Sequence, residues 1–199
     1  MIVVGLTGRY CSGKGTAAAA FATCGFRVVD ADELSHEVLA ERAEQVIREF
    51  GPSVRSAGDA KSDSGGVDRR ALGRIVFADP QARTRLEAIL YPDITARIKG
   101  FIAEDERDVV INAPLLQRAG LQSLCSALVF VTAPAAVRLV RAMRRDRLSL
   151  RDAWTRINAQ KDVRPQLNDG GVDTYTVRNW GSMRSLQHRV DRIVAGLRG

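Results

Sequence analysis

The chain has 199 residues, 45% of them hydrophobic and 27% charged, with a formal net charge of +7, a composition typical of one globular domain with anionic partners. No apolar run approaches the roughly 18 residues of a membrane span, and the first residues lack the basic flank of a signal peptide, so we expect a cytoplasmic protein that binds no membrane. Three cysteines at no metal-ligand spacing disfavour a zinc site and a disulfide framework.

Short apolar segments alternate with longer helical patterns along the chain. Strands are predicted at five places, most of them apolar enough to be buried on both faces of a sheet: 2–6, 26–29, 109–111, 128–131 and 173–177. One long amphipathic helix is predicted to follow residue 30 and to end near residue 50, and the Gly- and Ser-rich segment 56–66 is predicted to be a loop. The alternation predicts an α/β domain with a five-stranded parallel sheet and helices on both faces.

Polar residues mark several of the predicted helix starts. Asp68 and the pair Asp79-Pro80 each precede a helical pattern, and Ser149 to Asp152 has the spacing of a capping box. Thr132 and Pro134 are expected as the N-cap and the first-turn residue of another helix. These side chains predict where helices begin because they can accept the backbone N–H groups of a first turn.

The most informative motif is a glycine-rich segment, Gly-Arg-Tyr-Cys-Ser-Gly-Lys-Gly-Thr, at residues 8–16. It has the G-x-x-x-x-G-K pattern of a P-loop and lies between a predicted strand and a predicted helix, the context in which such loops bind phosphate. Glycines allow backbone N–H groups to converge on phosphate oxygens, and the lysine adds a positive charge for the outer phosphates. We therefore predict nucleotide binding by residues Gly8, Cys11, Ser12, Gly13, Lys14, Gly15 and Thr16.

The position after the lysine departs from the usual P-loop pattern. A Ser or Thr normally stands there and its hydroxyl helps to hold Mg²⁺, whereas this chain has Gly15. Thr16 keeps a hydroxyl one residue later and is the predicted protein ligand for Mg²⁺. The side chains of Tyr10 and Cys11 are expected to be bystanders, because the backbone of such a loop makes the phosphate contacts.

The P-loop and the segment Val28-Val29-Asp30-Ala31-Asp32-Glu33 resemble the dephospho-coenzyme A kinase family. Further matches follow in the order of that family, at 68–73, 76–80, 86–90, 114–116, 119–121, 141–146 and 179–182. The resemblance spans almost the whole chain and implies a P-loop kinase fold. It implies one domain over 1–199, with a helical acceptor-binding insertion at about 60–105 and a basic lid at about 138–168.

The excess positive charge is concentrated where the resemblance implies the lid. Between residues 138 and 164 there are nine Lys or Arg and three Asp, a net charge of +6. Arg138, Arg141 and Arg145 are spaced i, i+3 and i+7, so they share one face of a helix. They resemble the basic lid of small kinases, which closes over the transferring phosphoryl group, and Arg141 is the candidate catalytic arginine. A solvated charge run is the alternative interpretation.

The resemblance implies the reaction as well as the fold. In the family, ATP phosphorylates the ribose 3′-hydroxyl of dephospho-coenzyme A, the last step of coenzyme A biosynthesis, so ATP and Mg²⁺ are the expected co-substrate and cofactor. Asp32 matches the family's catalytic aspartate, which would orient the acceptor hydroxyl and take its proton, with Lys14 and Arg141 stabilising charge. A helix N-cap is the alternative role for Asp32, and Asp30 is either a turn residue or part of a metal shell. We expect a monomer or a weak homo-oligomer.

Several positions differ from the family pattern. Asn112 and Arg178 stand where the family usually has an acidic residue, Arg118 replaces a Glu, and Gly15 removes the usual hydroxyl. These departures leave open a nucleotide-binding protein with weakened catalysis. The sequence Gly-Lys-Gly-Thr also occurs in adenylate kinases, which leaves open a P-loop kinase for another small acceptor.

A nucleic-acid-binding function is the remaining alternative. The net charge of +7 would suit a polyanion. However, aromatic residues make up only 6% of the chain, and the basic stretch has no interleaved rings on which bases could stack. The sequence therefore favours a phosphorylated small molecule over nucleic acid.

Overall fold

The computed structural model describes residues 1–56, 66–114, 116, 120–160 and 172–199. In chain order the elements are β1 (Val3–Gly8), α1 (Lys14–Thr23), β2 (Arg27–Asp30), α2 (Ala31–Glu41), α3 (Ala43–Phe50), α4 (Arg69–Ala78), α5 (Pro80–Ala103), β3 (Val109–Asn112), β4 (Ala127–Thr132), α6 (Ala135–Asp146), α7 (Leu150–Asn158), β5 (Asp173–Arg178) and α8 (Met183–Arg198). Most of the predicted loop at 56–66, the predicted divergence at Arg118 and the part of the predicted lid after residue 160 lie outside the described residues.

The strands form a five-stranded sheet in the order β2-β3-β1-β4-β5. β1 lies in the middle and pairs in parallel with both neighbours, so that Val4 is opposite Val110 on β3 and Ala127 on β4. β4 pairs in parallel with β5 at the edge. The predicted α/β class and five-stranded parallel sheet are confirmed. The central position of β1 explains its apolar sequence, because a strand covered on both faces has no polar side.

The chain divides into two compact units, one made of Met1–Val29 with Asp105–Gly199 and one made of Asp30–Glu104. In the first unit, α1 and α8 pack together on the sheet around the fully buried Phe21. Small side chains along α1, Ala17 and Ala20 among them, allow this helix to lie close to the strands. The ring of Phe21 meets Phe26 edge to face at 5.3 Å between centroids.

The second unit consists of helices α2 to α5. The predicted single helix after residue 30 is wrong, because α2 ends at Glu41 and α3 begins at Ala43. Arg42 stands at the break and donates to Asp93 on α5 at 2.6 Å. No Gly or Pro stands at this position, so the helical pattern of the sequence continues across it. The break between α2 and α3 coincides instead with the contact between Arg42 and α5.

The capping side chains account for most of the helix starts. Asp68, Asp79, Ser149 and Ser182 each accept backbone N–H groups of the helix that follows, as the first three were predicted to do. The predicted N-cap at Thr132 is wrong. Thr132 is the last residue of β4 and lies opposite Arg178, and α6 begins only at Ala135, with Pro134 at the N-cap position and no side-chain cap.

No helix in the described ranges is both long and apolar enough to cross a lipid bilayer.

Candidate functional site

The P-loop joins β1 to α1, and close approaches by other atoms require glycine at positions 8 and 13. A Cβ atom on Gly8 would collide with the backbone oxygen of Val131 on β4. Gly13 has φ +88° and ψ +41°, a left-handed conformation that favours glycine, and a Cβ there would collide with the side-chain amide of Asn179. Neither position tolerates a side chain, which fixes the path of the loop.

The loop ends at the N-terminus of α1, which begins at Lys14. In the described part of the chain no side chain caps this end, and its first turn contains no acidic residue. The first backbone N–H groups of a helix have no partner within the helix, and the helix dipole places partial positive charge beside them. The helix terminus and the Lys14 ammonium together make a site suited to a phosphate group.

Two side chains, those of Asn179 and Arg141, donate hydrogen bonds to backbone carbonyl oxygens of the P-loop. Asn179, which is 5% exposed, donates its side-chain amide to the carbonyl oxygens of Ser12 at 3.0 Å and Gly13 at 3.3 Å. Arg141 on α6 donates from one guanidinium nitrogen to Ser12 O at 3.1 Å and from the other to Asn179 O at 2.9 Å. These contacts fix the loop through its carbonyl oxygens and leave the N–H groups at the start of α1 uncommitted to the pair.

Tyr10 anchors the first half of the loop. Its backbone N–H donates to Oε1 of Gln160 at 2.6 Å, and its hydroxyl donates to the carboxylate of Asp146. Arg145 donates to Asp146 at 2.7 Å and lies over the Tyr10 ring, 5.4 Å from its centroid. The prediction that the Tyr10 side chain is a bystander is wrong. No local sequence pattern indicates this role, because the partners of Tyr10 lie more than 130 residues away.

The same contacts shift the acidity of Asp146. Hydrogen bonds from Arg145 and Tyr10 stabilise the charged form and lower the pKa of Asp146 to about 2. Burial and the neighbouring carboxylate raise the pKa of the Tyr10 hydroxyl, so the phenol stays neutral and keeps its proton for donation. The carboxylate therefore remains charged and bound to the loop at neutral pH.

Two further loop residues are buried. Cys11 has φ +56° and packs in an apolar cluster with Ala142 of α6 and Ala153 of α7. Burial raises the pKa of its thiol, which therefore remains protonated. The Ser12 side chain is fully buried, and its backbone N–H donates to the carbonyl of Arg9 at 3.0 Å. Both residues shape the loop from inside; their contribution to nucleotide binding stays a prediction.

The basic face of α6 is directed toward the P-loop and its supports. Arg138 is 4% exposed, and its Nε and Nη1 atoms have no hydrogen-bond partner among the described residues. Burial, and then the nearby charge of Arg9, lower the pKa of its guanidinium. Arg141 contacts the loop backbone and Arg145 pairs with Asp146. Arg138 and Arg141 are therefore held against the protein, whereas the Arg145 side chain is 63% exposed and fits the alternative of a solvated charge run. A role of this face in phosphate binding stays a prediction.

In the acidic segment at the end of β2 and the start of α2, Asp30 is the residue that caps the helix. Asp30 is the N-cap of α2 and accepts hydrogen bonds from the backbone N–H groups of Asp32 at 2.9 Å and Glu33 at 3.4 Å. The alternative role of Asp32 as N-cap is therefore wrong, since Asp32 lies in the first turn of the helix. Its predicted catalytic role stays a prediction.

The remaining divergent positions lie at strand ends. Asn112 is the last residue of β3 and is buried, whereas Arg178 is the last residue of β5, is exposed, and lies over the ring of Trp180 at 5.7 Å. Within the described ranges no group of three or more His, Cys, Asp or Glu side chains could hold a metal ion. Magnesium on a nucleotide takes most of its ligands from phosphates and water, so such a group is not required.

A parallel sheet with a P-loop between its central strand and the next helix defines the class of P-loop kinases. The fold of a shikimate kinase from Acinetobacter baumannii, 14% identical, aligns with 99% of this chain at a TM-score of 0.54. A family model for dephospho-CoA kinase matches residues 2–179. The chain belongs to the dephospho-CoA kinase family.

Individual relatives agree with this assignment. A dephospho-CoA kinase of Treponema denticola is 32% identical over 194 residues, covering 95% of this chain and 87% of the relative. One of Anaeromyxobacter dehalogenans is 37% identical over 209 residues, covering all of this chain and 93% of the relative. Among solved structures, the dephospho-CoA kinase of Campylobacter jejuni is 25% identical with a TM-score of 0.66, covering 98% of this chain and 96% of that one.

Proposed function

We propose that this protein transfers the γ-phosphoryl group of ATP to the ribose 3′-hydroxyl of dephospho-coenzyme A, which is the last step of coenzyme A biosynthesis. The observation that carries the proposal is the P-loop, held by Arg141 and Asn179, in a chain of the dephospho-CoA kinase family. The kinase class is shared with the curated relatives. The acceptor is the substrate from which these relatives take their name.

The loop and the start of α1 bind the phosphates of ATP. In the transfer, the bond from the γ-phosphorus to the bridging oxygen breaks as the bond to the acceptor oxygen forms, and ADP leaves with the bridging oxygen. Negative charge is spread over the phosphoryl oxygens at this stage, so its stabilisation is the main task of the protein. Lys14 supplies a point charge and the N-terminus of α1 supplies oriented N–H groups.

The acceptor hydroxyl loses its proton during the transfer. We assign the proton to the carboxylate of Asp32, in the first turn of α2, as the aspartate at this position of the family pattern. Asp30 is the N-cap of α2 and positions the first turn of this helix, in which Asp32 lies. The assignment rests on the family pattern and on the finding that Asp30, rather than Asp32, supplies the N-cap.

Arg141 acts on the loop in the arrangement seen here. Two of its guanidinium nitrogens donate to the carbonyl oxygens of Ser12 and Asn179, which makes it a positioning residue for the P-loop. A guanidinium carries five N–H donors, so it can also contact a phosphate from the same place. We propose that Arg141 couples the position of the loop to the charge of the bound phosphates.

Magnesium fits this site mainly as part of the nucleotide. The residue after Lys14 has no hydroxyl, and a Cβ on Gly15 would meet nothing within 4 Å. Phosphate oxygens and water supply most ligands of nucleotide-bound Mg²⁺, and Thr16 is the nearest hydroxyl along α1 that could add one. Magnesium, when bound, neutralises charge on the transferring phosphates.

Release of ADP in a coupled assay tests the proposal. With ATP and Mg²⁺ present, dephospho-coenzyme A should accelerate ADP formation strongly, whereas adenosine monophosphate, shikimate and gluconate should not. An ADP rate that is unchanged by dephospho-coenzyme A would refute the assigned acceptor. Acceleration by another member of this panel would assign the protein to a different acceptor, and tight ATP binding without turnover on any of them would indicate weakened catalysis.

A further inference from the structure

A second basic site lies at the edge of the sheet and is formed by residues outside the P-loop motif. A groove of about 410 Å³ runs between the edge strand β5 and helix α8 and is lined by Tyr175, Thr176, Arg178, Arg189, Arg192 and Ile193. Grooves of this size are large enough for a small organic ligand. Its lining shares no residue with the P-loop or with the Arg141 and Asn179 pair.

The charge of the groove is one-sided. Three of its six lining residues are arginines, and no acidic side chain lines it in the described part of the chain. Arg178, the last residue of β5, is exposed and contributes to this charge. Like charges gathered in one groove repel each other unless an anion is present, and a single guanidinium can bind phosphate through two parallel hydrogen bonds.

The three arginines differ in how much they are committed elsewhere. Arg189 donates to the carbonyl oxygen of Arg178 at 2.8 Å, which places its guanidinium against the end of β5. Arg178 lies over the Trp180 ring. Arg192 is exposed and makes no hydrogen bond or ion pair within the residues that the structure describes. Its donors are therefore available to a ligand, with Arg189 held in place one turn before it.

The groove also has an apolar part. Tyr175 and Ile193 are half-buried and pack against the apolar core cluster that contains Phe21. A tyrosine ring fixed by core packing offers a rigid surface for a ring of the ligand at a small cost in side-chain entropy. The lining thus combines donors for phosphate with a surface for an apolar or aromatic ring.

We propose that the β5–α8 groove binds a phosphorylated small molecule that carries a ring, of the size of a nucleoside monophosphate, at a site separate from the P-loop. Arg192 and Arg189 contact the phosphate, and Tyr175 and Ile193 contact the ring. This proposal does not depend on the reaction proposed for the P-loop site, because the groove and the P-loop site share no residue.

Site-resolved NMR tests the proposal, with adenosine 5′-monophosphate as the probe. In a titration followed by ¹H–¹⁵N spectra, the amides of Thr176, Arg192 and Ile193 should shift and saturate. The variant Arg192→Gln should weaken this binding about tenfold or more, the loss expected for one charge-assisted phosphate contact. Arg184→Gln is the matched control, because Arg184 is exposed on the same helix and lies outside the groove lining. It should change the dissociation constant less than about twofold.

Four results would overturn the proposal. The first is a set of amide shifts confined to residues 8–16, and the second is equal weakening by Arg184→Gln and Arg192→Gln. The third is inorganic phosphate binding as tightly as the nucleotide, which would remove the role of the ring. The fourth is tighter binding of a short single-stranded RNA, with shifts that spread to Arg184, which would make α8 a nucleic-acid surface instead.

Discussion

The side-chain amide of Asn179 occupies the space that a side chain at residue 13 would need. Its Nδ2 atom donates to the carbonyl oxygens of Ser12 and Gly13, and a Cβ on Gly13 would collide with it. The glycine in the P-loop and the asparagine after β5 are therefore matched to each other. The glycine is required both by its left-handed backbone and by this neighbour.

A double-mutant cycle measures this match. Gly13→Ala should destabilise the protein through the collision and through backbone strain, and Asn179→Ala should destabilise it by about 1–2 kcal/mol through the lost hydrogen bonds. The double variant should be more stable than the sum of the two effects predicts, by about 1 kcal/mol, because the collision is absent. Urea unfolding measures all three. Strict additivity would show that the two residues do not meet, and Asn158→Ala, at an exposed position at the end of α7, is the control.

Replacing Arg141 tests whether it positions the loop. Arg141→Ala should raise the KM for ATP and lower kcat together, with kcat/KM reduced about 10–100-fold, because the carbonyl oxygens of Ser12 and Asn179 lose a donor. Arg141→Lys should rescue little, since one ammonium cannot reproduce the two-pronged contact. Steady-state kinetics measure both parameters. A normal KM with reduced kcat would instead indicate contact in the transition state only, and Arg144→Ala on the same helix is the control.

Restoring a hydroxyl after the lysine should strengthen magnesium binding. A side chain at residue 15 meets nothing within 4 Å, so Gly15→Ser should fold normally and should lower the Mg²⁺ concentration for half-maximal activity by about 3–10-fold. Gly15→Ala is the matched control, because it adds a Cβ atom at the same position without a hydroxyl. Titration of activity with Mg²⁺ measures the effect. If the serine and alanine variants respond identically, the hydroxyl has no part in holding the metal.

The contact between Asp146 and Tyr10 should make stability depend on acid pH. The pKa of Asp146 is about 2 in the folded protein, below its ordinary value of 3.8, so its contribution to stability is complete above about pH 5 and is lost as pH falls toward 2. Asp146→Asn should lower the free energy of unfolding on the order of 1 kcal/mol at pH 7, and the difference should shrink between pH 4 and pH 2. Tyr10→Phe should remove part of the same dependence. Parallel stability curves for wild type and Asp146→Asn over this range would contradict the assignment.

Removal of the Lys14 ammonium should affect turnover more than any surface charge does. Lys14→Ala should lower kcat about 10²–10³-fold, the loss typical of one charge-stabilising group at a developing charge. Lys99→Ala, at an exposed position on α5, should leave kcat unchanged. An unaltered rate for Lys14→Ala would refute the role assigned to this lysine.

The parts of the fold that local patterns encode were predictable from the sequence. β1 and β4 lie in the middle of the sheet, so their sequences are mostly apolar, with one threonine in each. Asp68 and Asp79 cap helices within three residues of themselves. The end of α2 at Glu41 was not predictable, because a contact between Arg42 and a distant helix, rather than a Gly or Pro, accompanies it.

In the candidate site, too, the local motif was predictable and the long-range contacts were not. The glycines and the lysine of the P-loop form one local motif, so the phosphate-binding loop was predictable. Its supports were not, because Asn179 lies 166 residues from Gly13 and Asp146 lies 136 residues from Tyr10. The asparagine belongs to a short Asn-Trp-Gly-Ser segment that was visible in the sequence, but only the folded chain gives it a role.

Identification of the phosphorylated product is the decisive test of the proposed reaction. ATP labelled in the γ-phosphoryl group, dephospho-coenzyme A and the purified protein should yield labelled coenzyme A, with the label on the 3′-oxygen of the ribose by ³¹P NMR and mass spectrometry. Lys14→Ala serves as the control for contaminating kinases. Label found only as inorganic phosphate, or on any other position or acceptor, would contradict the account.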